Sequence, residues 1–309
     1  MSQLKSQVDM LLTDTSSAYI PEGHISEMVL PQIKVAQKTG LLAKYGNAHL
    51  RIENSIIGGE GKYRRVKPIL RSTTTYNVEG HGFEGLVTRD DYRNVLKPFD
   101  AERDETMGIS SILWLEKEKV LADALGDTAI LTQNTTLSGT SQFNDYTNSD
   151  PLSVFKTARA AVKSGCGLAP NTALMSWEVW NTLIYHPKLI DLYRYVQGGK
   201  LDDQALADTL GVKRLLIGKV TYNSAKEGQS DSLGPVWGKN IVFGVMPERA
   251  EPYQVSLGYM VQMNDGSPRK VYKEATFNPA GATKILVEDE YQFLLSNVLA
   301  GYLVKNAIA

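Results

Sequence analysis

The segment between residues 44 and 80 constrains the fold most strongly, because it favours β-structure but offers little apolar surface to bury. Strand-like runs at residues 49–52 and 72–76, the second rich in threonine, flank the sequence Gly58-Gly59-Glu60-Gly61. The glycines permit the unusual backbone angles of a tip. The segment therefore predicts a long, exposed two-stranded hairpin. Since an isolated hairpin is marginally stable in water, we expect it to lie on another surface, such as a second copy of the chain.

Residues 100–125 predict a long helix. Asp100, which follows Pro98, is a capping residue, and the acidic residues of the first turn suit the positive end of the helix dipole. Apolar residues then recur at helical spacing until Gly126. At about 1.5 Å per residue this helix is on the order of 37 Å long. It is therefore expected to be a long, rod-like structural element and not a helix that only fills space in a core.

The rest of the chain mixes helices and strands, so the predicted fold class is α+β. A polar stretch at residues 132–149 is a candidate boundary, and Asp150-Pro151 starts a second helix with a capping residue and a proline. Short helices and strands follow, and residues 291–309 fit either a strand or a helix. Residues 1–20 are polar and predict a mobile arm or a short frayed helix.

Composition excludes several classes of protein. The 309 residues include 33 Lys and Arg against 34 Asp and Glu, a net charge of −1, with 42% hydrophobic residues. These values argue against a disordered, collagen-like or coiled-coil chain, and the length suits about two domains. A near-neutral chain is not expected to bind DNA tightly by charge. The lone Cys166 can form neither an intrachain disulfide nor a thiolate metal site.

Neither end of the chain has the pattern of a membrane-targeting segment. Residues 1–9 lack the apolar core of a signal peptide. The most apolar stretch, residues 293–304, is interrupted by Ser296, Asn297 and Gly301 and is too short to span a bilayer. We therefore expect a soluble protein that is made in the cytoplasm and has no membrane partner.

Two glycine-rich motifs superficially resemble nucleotide-binding loops. The sequence Gly80-His81-Gly82-Phe83-Glu84-Gly85 matches G-x-G-x-x-G, but the residues on both sides of it indicate extended chain where a dinucleotide site needs a helix. Residues 58–62 lack the spacing of a phosphate loop, and Tyr63 stands where a Mg²⁺-binding Ser or Thr would be required. No cofactor is predicted.

The remaining search for catalytic or metal chemistry finds no candidate. The four histidines do not pair at helical spacing, and no G-x-S-x-G motif occurs. Cys166 follows a predicted helix C-terminus, where the helix dipole disfavours a thiolate. His186-Pro187 is expected to end a helix, and the pairs Asp90-Asp91 and Asp202-Asp203 are explained by helix capping. The sequence therefore predicts no catalytic, cofactor-binding or metal-binding residue, and no enzyme.

A charge asymmetry between two neighbouring segments is more informative. Residues 51–80 carry six cations against three acids, a net of +3, whereas residues 84–105 carry four cations against seven acids, a net of −3. One interpretation of this asymmetry is that each segment simply forms a charged face exposed to solvent. The alternative is that the basic hairpin lies over the acidic helix start of a neighbouring copy, with each exposed pair worth at most about 1 kcal/mol. The residues concerned are Arg51, Lys62, Arg64, Arg65, Lys67 and Arg71 on one side and Glu84, Asp90, Asp91, Asp100, Glu102, Asp104 and Glu105 on the other.

Several sequence phrases together resemble the major capsid proteins of tailed bacteriophages. They follow that family's order through most of residues 20–290. The phrases are Ile25-Ser-Glu-Met-Val-Leu-Pro31-Gln-Ile-Lys-Val35 with Lys38-Thr39-Gly40, Gly85-Leu86-Val87-Thr88-Arg89-Asp90, Leu115-Glu116-Lys117-Glu118, Ser149-Asp150-Pro151, Pro170-Asn171-Thr172-Ala173-Leu174-Met175-Ser176 with Val179-Trp180, His186-Pro187-Lys188-Leu189, and Leu206-Ala207-Asp208 to Gly211-Val212.

The resemblance implies the capsid fold that tailed phages share with encapsulins and the herpesvirus capsid floor. Residues 1–43 would be an N-terminal arm and residues 44–83 an extended loop. A peripheral domain with a long spine helix would occupy residues 84–128 and be completed by C-terminal strands at 270–309. Residues 129–269 would form an axial domain.

The resemblance also implies a function, namely self-assembly into hexamers and pentamers of an icosahedral shell around double-stranded DNA in the virion. Portal and scaffolding proteins would be partners, and DNA would be contacted weakly and without specificity. Some relatives crosslink Lys to Asn, and Lys62 and Lys67 lie in the loop, but no partner motif is present, so no crosslink is predicted. An encapsulin-like cargo shell and a soluble α+β enzyme with a dispersed site are the alternatives.

Overall fold

A computed structural model of the chain describes residues 7–44, 52, 56–57, 72–94, 100–193, 202–226, 228–251, 254–264, 269–275 and 282–309. The helices are α1 (Met10–Ala18), α2 (Ser26–Val29), α3 (Arg89–Asn94), α4 (Ala101–Gly126), α5 (Pro151–Cys166), α6 (Trp177–Ile184), α7 (Pro187–Tyr193) and α8 (Asp203–Leu210). The strands are β1 (Gln7–Val8), β2 (Gln32–Val35), β3 (Thr39–Lys44), β4 (Ser72–Asn77), β5 (Glu79–Val87), β6 (Asn134–Thr136), β7 (Thr172–Ser176), β8 (Arg214–Gly218), β9 (Thr221–Asn223), β10 (Leu233–Pro235), β11 (Ile241–Gly244), β12 (Gly258–Met263), β13 (Arg269–Ala275), β14 (Thr283–Leu295) and β15 (Gly301–Lys305).

The first sheet is built around β14, which is 13 residues long. Strands β12 and β13 lie end to end along one side of it, because their antiparallel partners descend from Leu295 to Tyr291 and then from Asp289 to Thr283. Strand β5 pairs along the other side, and β1 and β2 extend the sheet beyond β13 and β12. Alternate residues of β14 are buried, so one face of this sheet is covered.

Helix α4, which the sequence predicts over residues 100–125, covers that face. Asp100 caps it by accepting a hydrogen bond from the amide of Glu102, and the helix runs for 26 residues. A small core forms where α4 crosses the sheet. Its members are Leu12, Val87, Ile109, Leu113, Val271, Ile285 and Val287.

The predicted mobile or frayed arm at residues 1–20 contains a well-anchored helix. Asp9 caps α1 by accepting from the amide of Leu12. Leu12 is buried in the core under α4, and the hydroxyl groups of Ser16 and Ser110 lie 2.7 Å apart. Leu12 and Ser16, one turn apart, therefore both face α4, and the Thr13 hydroxyl also accepts from the Val271 amide at 3.0 Å.

The second sheet has the order β6-β15-β11-β7-β8. Every residue of β7 and β11 is buried, which is typical of central strands covered on both faces. Helix α5 contributes Phe155, Ala158 and Val162 to the larger core. It ends at Cys166, with Gly167 in the left-handed region at φ 78°.

The strand pairings divide two of the predicted segments between both sheets. Strand β12, within the predicted axial segment 129–269, joins the first sheet beside β14. Strand β15, within the predicted peripheral segment 270–309, lies in the second sheet between β6 and β11. The physical reason is burial, since Tyr302, Leu303 and Val304 complete the larger core. The open choice for residues 291–309 is resolved as strand, with one short 3-10 turn between β14 and β15.

The predicted hairpin begins as a separate two-stranded sheet. Strands β3 and β4 pair antiparallel from Thr39 with Asn77 to Lys44 with Ser72. Its base is tied to β14, because Lys38 forms an ion pair with Glu290 and the Asn77 amide donates to Gln292 Oε1 at 2.8 Å. Nearly all of residues 45–71 lies outside the described residues. In the part of the chain that is described, no helix is both long and apolar enough to cross a membrane.

Candidate functional site

The predicted contact residues fall into two groups with different outcomes. The six basic residues, from Arg51 to Arg71, all lie outside the described residues. The seven acidic residues are described and lie on three consecutive elements. Glu84 lies on β5, Asp90 and Asp91 on α3, and the remaining four at the start of α4. The pairing between the two groups therefore stays a prediction.

Two of the acidic residues have capping roles. The Asp91 carboxylate accepts from the Thr88 amide and hydroxyl at 2.7 Å, while the Asp91 amide donates to Thr88 Oγ1 at 3.3 Å. These hydrogen bonds hold the pKa of Asp91 below its usual value. Asp100 caps α4, and Asp202 likewise caps α8 by accepting from the Ala205 amide at 2.8 Å. The capping interpretation is thus confirmed for Asp91 and Asp202.

Three more acidic residues are engaged within the subunit. Glu102 accepts from the Tyr92 hydroxyl at 2.5 Å and forms an ion pair with Lys273. Glu84 pairs with Lys284 at 3.3 Å across the sheet. Glu105 is half-buried beside Gly85, where an added Cβ would lie 2.2 Å from its Oε1. These contacts fix the N-terminus of α4 against the first sheet.

Asp90 and Asp104 remain as exposed carboxylates for which the described residues supply no ion pair. The exposed apolar side chains of this part of the fold do not share one face: Phe83 and Leu86 are three residues apart on β5 and so point to opposite faces of the first sheet, and Tyr92 lies on α3. Strand β5 pairs with β14 along one edge only within the described sheet. We call the region around Asp90 and Asp104 the acidic surface. It comprises Asp90, Asp91, Tyr92, Asp100 and Asp104, which lie on α3 and at the start of α4, two elements joined by the hydrogen bond from Tyr92 to Glu102.

A second set of charged residues, which the sequence analysis did not single out, is buried under the middle of α4. Lys117 is fully buried, and its Nζ lies 2.8 Å from Glu27 Oε1 and 3.1 Å from Asp289 Oδ2. Arg269 Nε lies 3.4 Å from the same Asp289 oxygen. The two cations and two carboxylates balance, which a buried ion cluster requires. Tyr291 lies against Lys117, 4.6 Å from Nζ to ring centre.

Glu118 points to a different set of partners. Its carboxylate accepts from the amides of Ile25 and Ser26, the latter at 2.8 Å, and from Trp237 Nε1 at 2.6 Å. Glu118 is fully buried, so three N–H donors compensate the cost of removing its charge from water.

A signal for these residues was present in the sequence. Lys117 falls between Leu113 and Leu121 at intervals of four, and Glu118 falls likewise between Trp114 and Ala122. Charged residues at core positions of a helix indicate buried partners. Sequence alone does not say which partners, because Asp289 and Trp237 are more than 100 positions away.

The other residues considered for chemistry have structural surroundings. His186 is buried, its Nε2 lies 3.0 Å from Ser149 Oγ, and burial lowers its pKa. Cys166 is buried, and burial raises the pKa of its thiol. The G-x-G-x-x-G residues lie in β5, in the extended conformation that the sequence predicts. Among the described residues, no group of three or more His, Cys, Asp or Glu is placed to bind a metal ion.

A broad cleft of about 620 Å³ lies between the arm and the second sheet. Apolar side chains from Met28, Leu30 and Leu216 share its lining with Glu27, Arg214, Glu248 and Arg249. Neither a histidine nor a cysteine is among these described lining residues.

Comparisons with known proteins point in one direction. No protein-family model matches the chain. The major capsid protein of Burkholderia phage BcepMu is 25% identical over 276 residues, which cover 84% of this chain and 85% of that protein. The crystal structure of a phage-related protein from Bordetella bronchiseptica RB50 matches 98% of both chains, with 24% identity and a TM-score of 0.75. The capsid structure of Cyanophage P-SCSP1u matches 99% of this chain and 92% of its own, with 10% identity and a TM-score of 0.57.

Proposed function

Because this chain belongs to the family of tailed-phage major capsid proteins, we propose that its copies assemble into hexamers and pentamers that close an icosahedral shell around double-stranded DNA. As a capsid protein it is a structural component of the virion and not an enzyme. The capsid fold also fits an encapsulin-like shell, but the curated relative is a phage capsid protein.

The hairpin β3–β4 is the observation that supports self-assembly most directly. None of its 12 paired residues is buried, and the two strands form a sheet of their own. A two-stranded hairpin with no covered face is marginal in water. Contact with a neighbouring copy would supply the missing packing, and closed rings would multiply many such weak contacts.

We propose that the basic residues 51–71 of one copy dock on the acidic surface of the next. Asp90 and Asp104 are exposed carboxylates without an ion pair among the described residues, so they are free to meet cations. Each exposed pair would contribute at most about 1 kcal/mol, so the charges chiefly select orientation and register. Tyr92, which is exposed on α3, would be covered by the same contact.

The remaining partners are proposed on the same basis. Portal and scaffolding proteins would complete and guide the shell, and synthesis would take place in the host cytoplasm. DNA would be held by confinement and weak, non-specific contacts, since a chain with a net charge of −1 offers little counterion release.

The experiment for assembly is expression of the full chain, followed by size-exclusion chromatography and negative-stain microscopy. Rings, shells or tubes support the proposal, whereas a monodisperse monomer at high concentration contradicts it. Analysis of particles from infected cells then separates a DNA-filled phage shell from a shell that holds a protein cargo.

The docking contact is tested by exchanging charges between the two surfaces. The pair D90K/D104K and the pair R64E/R65E should each reduce particle yield, because each places like charges face to face. Combining all four substitutions should restore yield and serves as the matched control. Normal assembly of either pair, or no recovery in the combination, would show that these surfaces do not meet.

A further inference from the structure

We infer that Lys117 and Glu118 are positioning residues for shell assembly: together they clamp the arm segment 25–29 and so fix the place where the hairpin leaves the subunit. The inference rests on the proposed assembly function and assigns two residues to it. It also explains why two separate sequence phrases, Ile25 to Val35 and Leu115 to Glu118, meet in the fold.

The first half of the clamp connects the arm to the first sheet. Lys117 Nζ bridges Glu27 on α2 and Asp289 on β14. Arg269 of β13 joins the same cluster and also donates from Nη1 to the Ser16 carbonyl at 3.2 Å. The guanidinium of Arg269 lies over the Trp114 ring at 4.2 Å. The ion cluster that contains Lys117 thus links the arm, β13, β14 and, through Arg269, α1.

The second half connects the arm to the larger core. Glu118 accepts from the first amides of α2, and Trp237, which also packs in that core, donates to the same carboxylate. Two adjacent residues of α4 therefore hold α2. Lys117 contacts the side chain of Glu27, and Glu118 contacts the backbone amides of Ile25 and Ser26. Each of these contacts is a hydrogen bond to a charged group, the stronger kind in proteins.

The chain downstream of the clamp leads directly to the hairpin. After α2, strand β2 pairs in parallel with β12 from Gln32 to Val35. Lys38 then pairs with Glu290, and β3 begins at Thr39. A displaced α2 would shift β2 on the open edge of the first sheet, and with it the base of the hairpin.

The positioning role is separable from a purely structural one by charge-balanced substitution. K117M/E27Q removes one cation and one anion, which leaves Arg269 paired with Asp289 and no uncompensated buried charge. E118Q keeps the shape of the side chain but replaces one acceptor oxygen with a donor. K119M is the control. It removes the same charge two residues further along α4, and Lys119 contacts Asp123 and Tyr222 and not the arm.

Three measurements on full-length protein decide the matter: thermal melting, hydrogen–deuterium exchange of the peptide that covers residues 25–29, and particle morphology. We expect K117M/E27Q and E118Q to fold, to exchange these arm amides about tenfold faster than wild type or more, and to yield open sheets, tubes or unassembled subunits. K119M should match wild type in exchange and in particles.

The inference is overturned if the arm amides of both variants keep wild-type protection, or if faster exchange leaves particle shape and yield unchanged. Failure of both variants to fold would overturn it equally, since the residues would then serve folding alone. Wild-type protein that forms no particles would instead refute the proposed function, and that result is obtained before any variant is made.

Discussion

Gly218 lies where the second sheet meets the Trp237 ring, and we predict that G218A destabilises the subunit substantially. Gly218 is the last residue of β8. A Cβ at this position would lie 2.0 Å from Trp237 Cδ1 and 2.5 Å from Nε1, which no real pair of atoms tolerates. The indole must therefore move, and its hydrogen bond to Glu118 must lengthen or break.

The magnitude follows from two costs. Inserting one methyl group into a packed core costs about 1–3 kcal/mol. Losing a hydrogen bond to a charged group costs about 1.5–3 kcal/mol. Their sum is about 2.5–6 kcal/mol, and with an unfolding entropy of about 2.1 cal/mol/K per residue a chain of 309 residues would melt roughly 4–9 °C lower.

The assay is thermal unfolding of the unassembled subunit, followed by circular dichroism and by tryptophan fluorescence. G234A is the matched control, because nothing lies within 4 Å of a Cβ added there and its φ is not positive. We expect G234A to stay within about 1 kcal/mol of wild type. A G218A variant with the same melting temperature as G234A would refute the packing argument. An unchanged indole N–H resonance of Trp237 would refute it as well.

Two further predictions concern charge. Burial lowers the pKa of His186 in the folded chain, so the unfolded chain binds the extra proton at a higher pH than the folded chain does. The free energy of unfolding should therefore fall as the pH drops below about 6.5. H186N should flatten that part of the profile of unfolding free energy against pH. D100A should cost about 1 kcal/mol by chemical denaturation, because the α4 cap is lost, whereas D100N, which keeps an acceptor, should cost less; equal losses would show that the cap does not matter.

Local patterns predicted the elements whose signals are contained in a few adjacent residues. Asp100 and Gly126 bracket α4 correctly, Ser176 caps α6, and the threonine-rich run pairs as β4. Each of these outcomes depends on capping or strand propensity, which acts over one or two turns. Such signals can be recognised in the sequence without any knowledge of tertiary contacts.

Elements whose stability comes from distant partners were harder to predict. The buried face of β14 carries Asp289, a residue that suggests a surface until Lys117 and Arg269 are known to face it. The sequence predicts a mobile or frayed arm where α1 lies because its anchors, Ser110 and Arg269 among them, are distant in the sequence. At the predicted contact site, the acidic half could be placed and the basic half could not, since the latter lies outside the described residues.

The position of β15 has a consequence for the timing of folding. Of the described strands it is the last to leave the ribosome, yet it lies between β6 and β11 and not at a border. While translation proceeds at about 5–20 residues per second, the edge of β11 stays bare for several seconds after that strand has emerged. A nascent chain therefore has an incomplete second sheet until residues 301–305 have emerged and paired with both neighbouring strands.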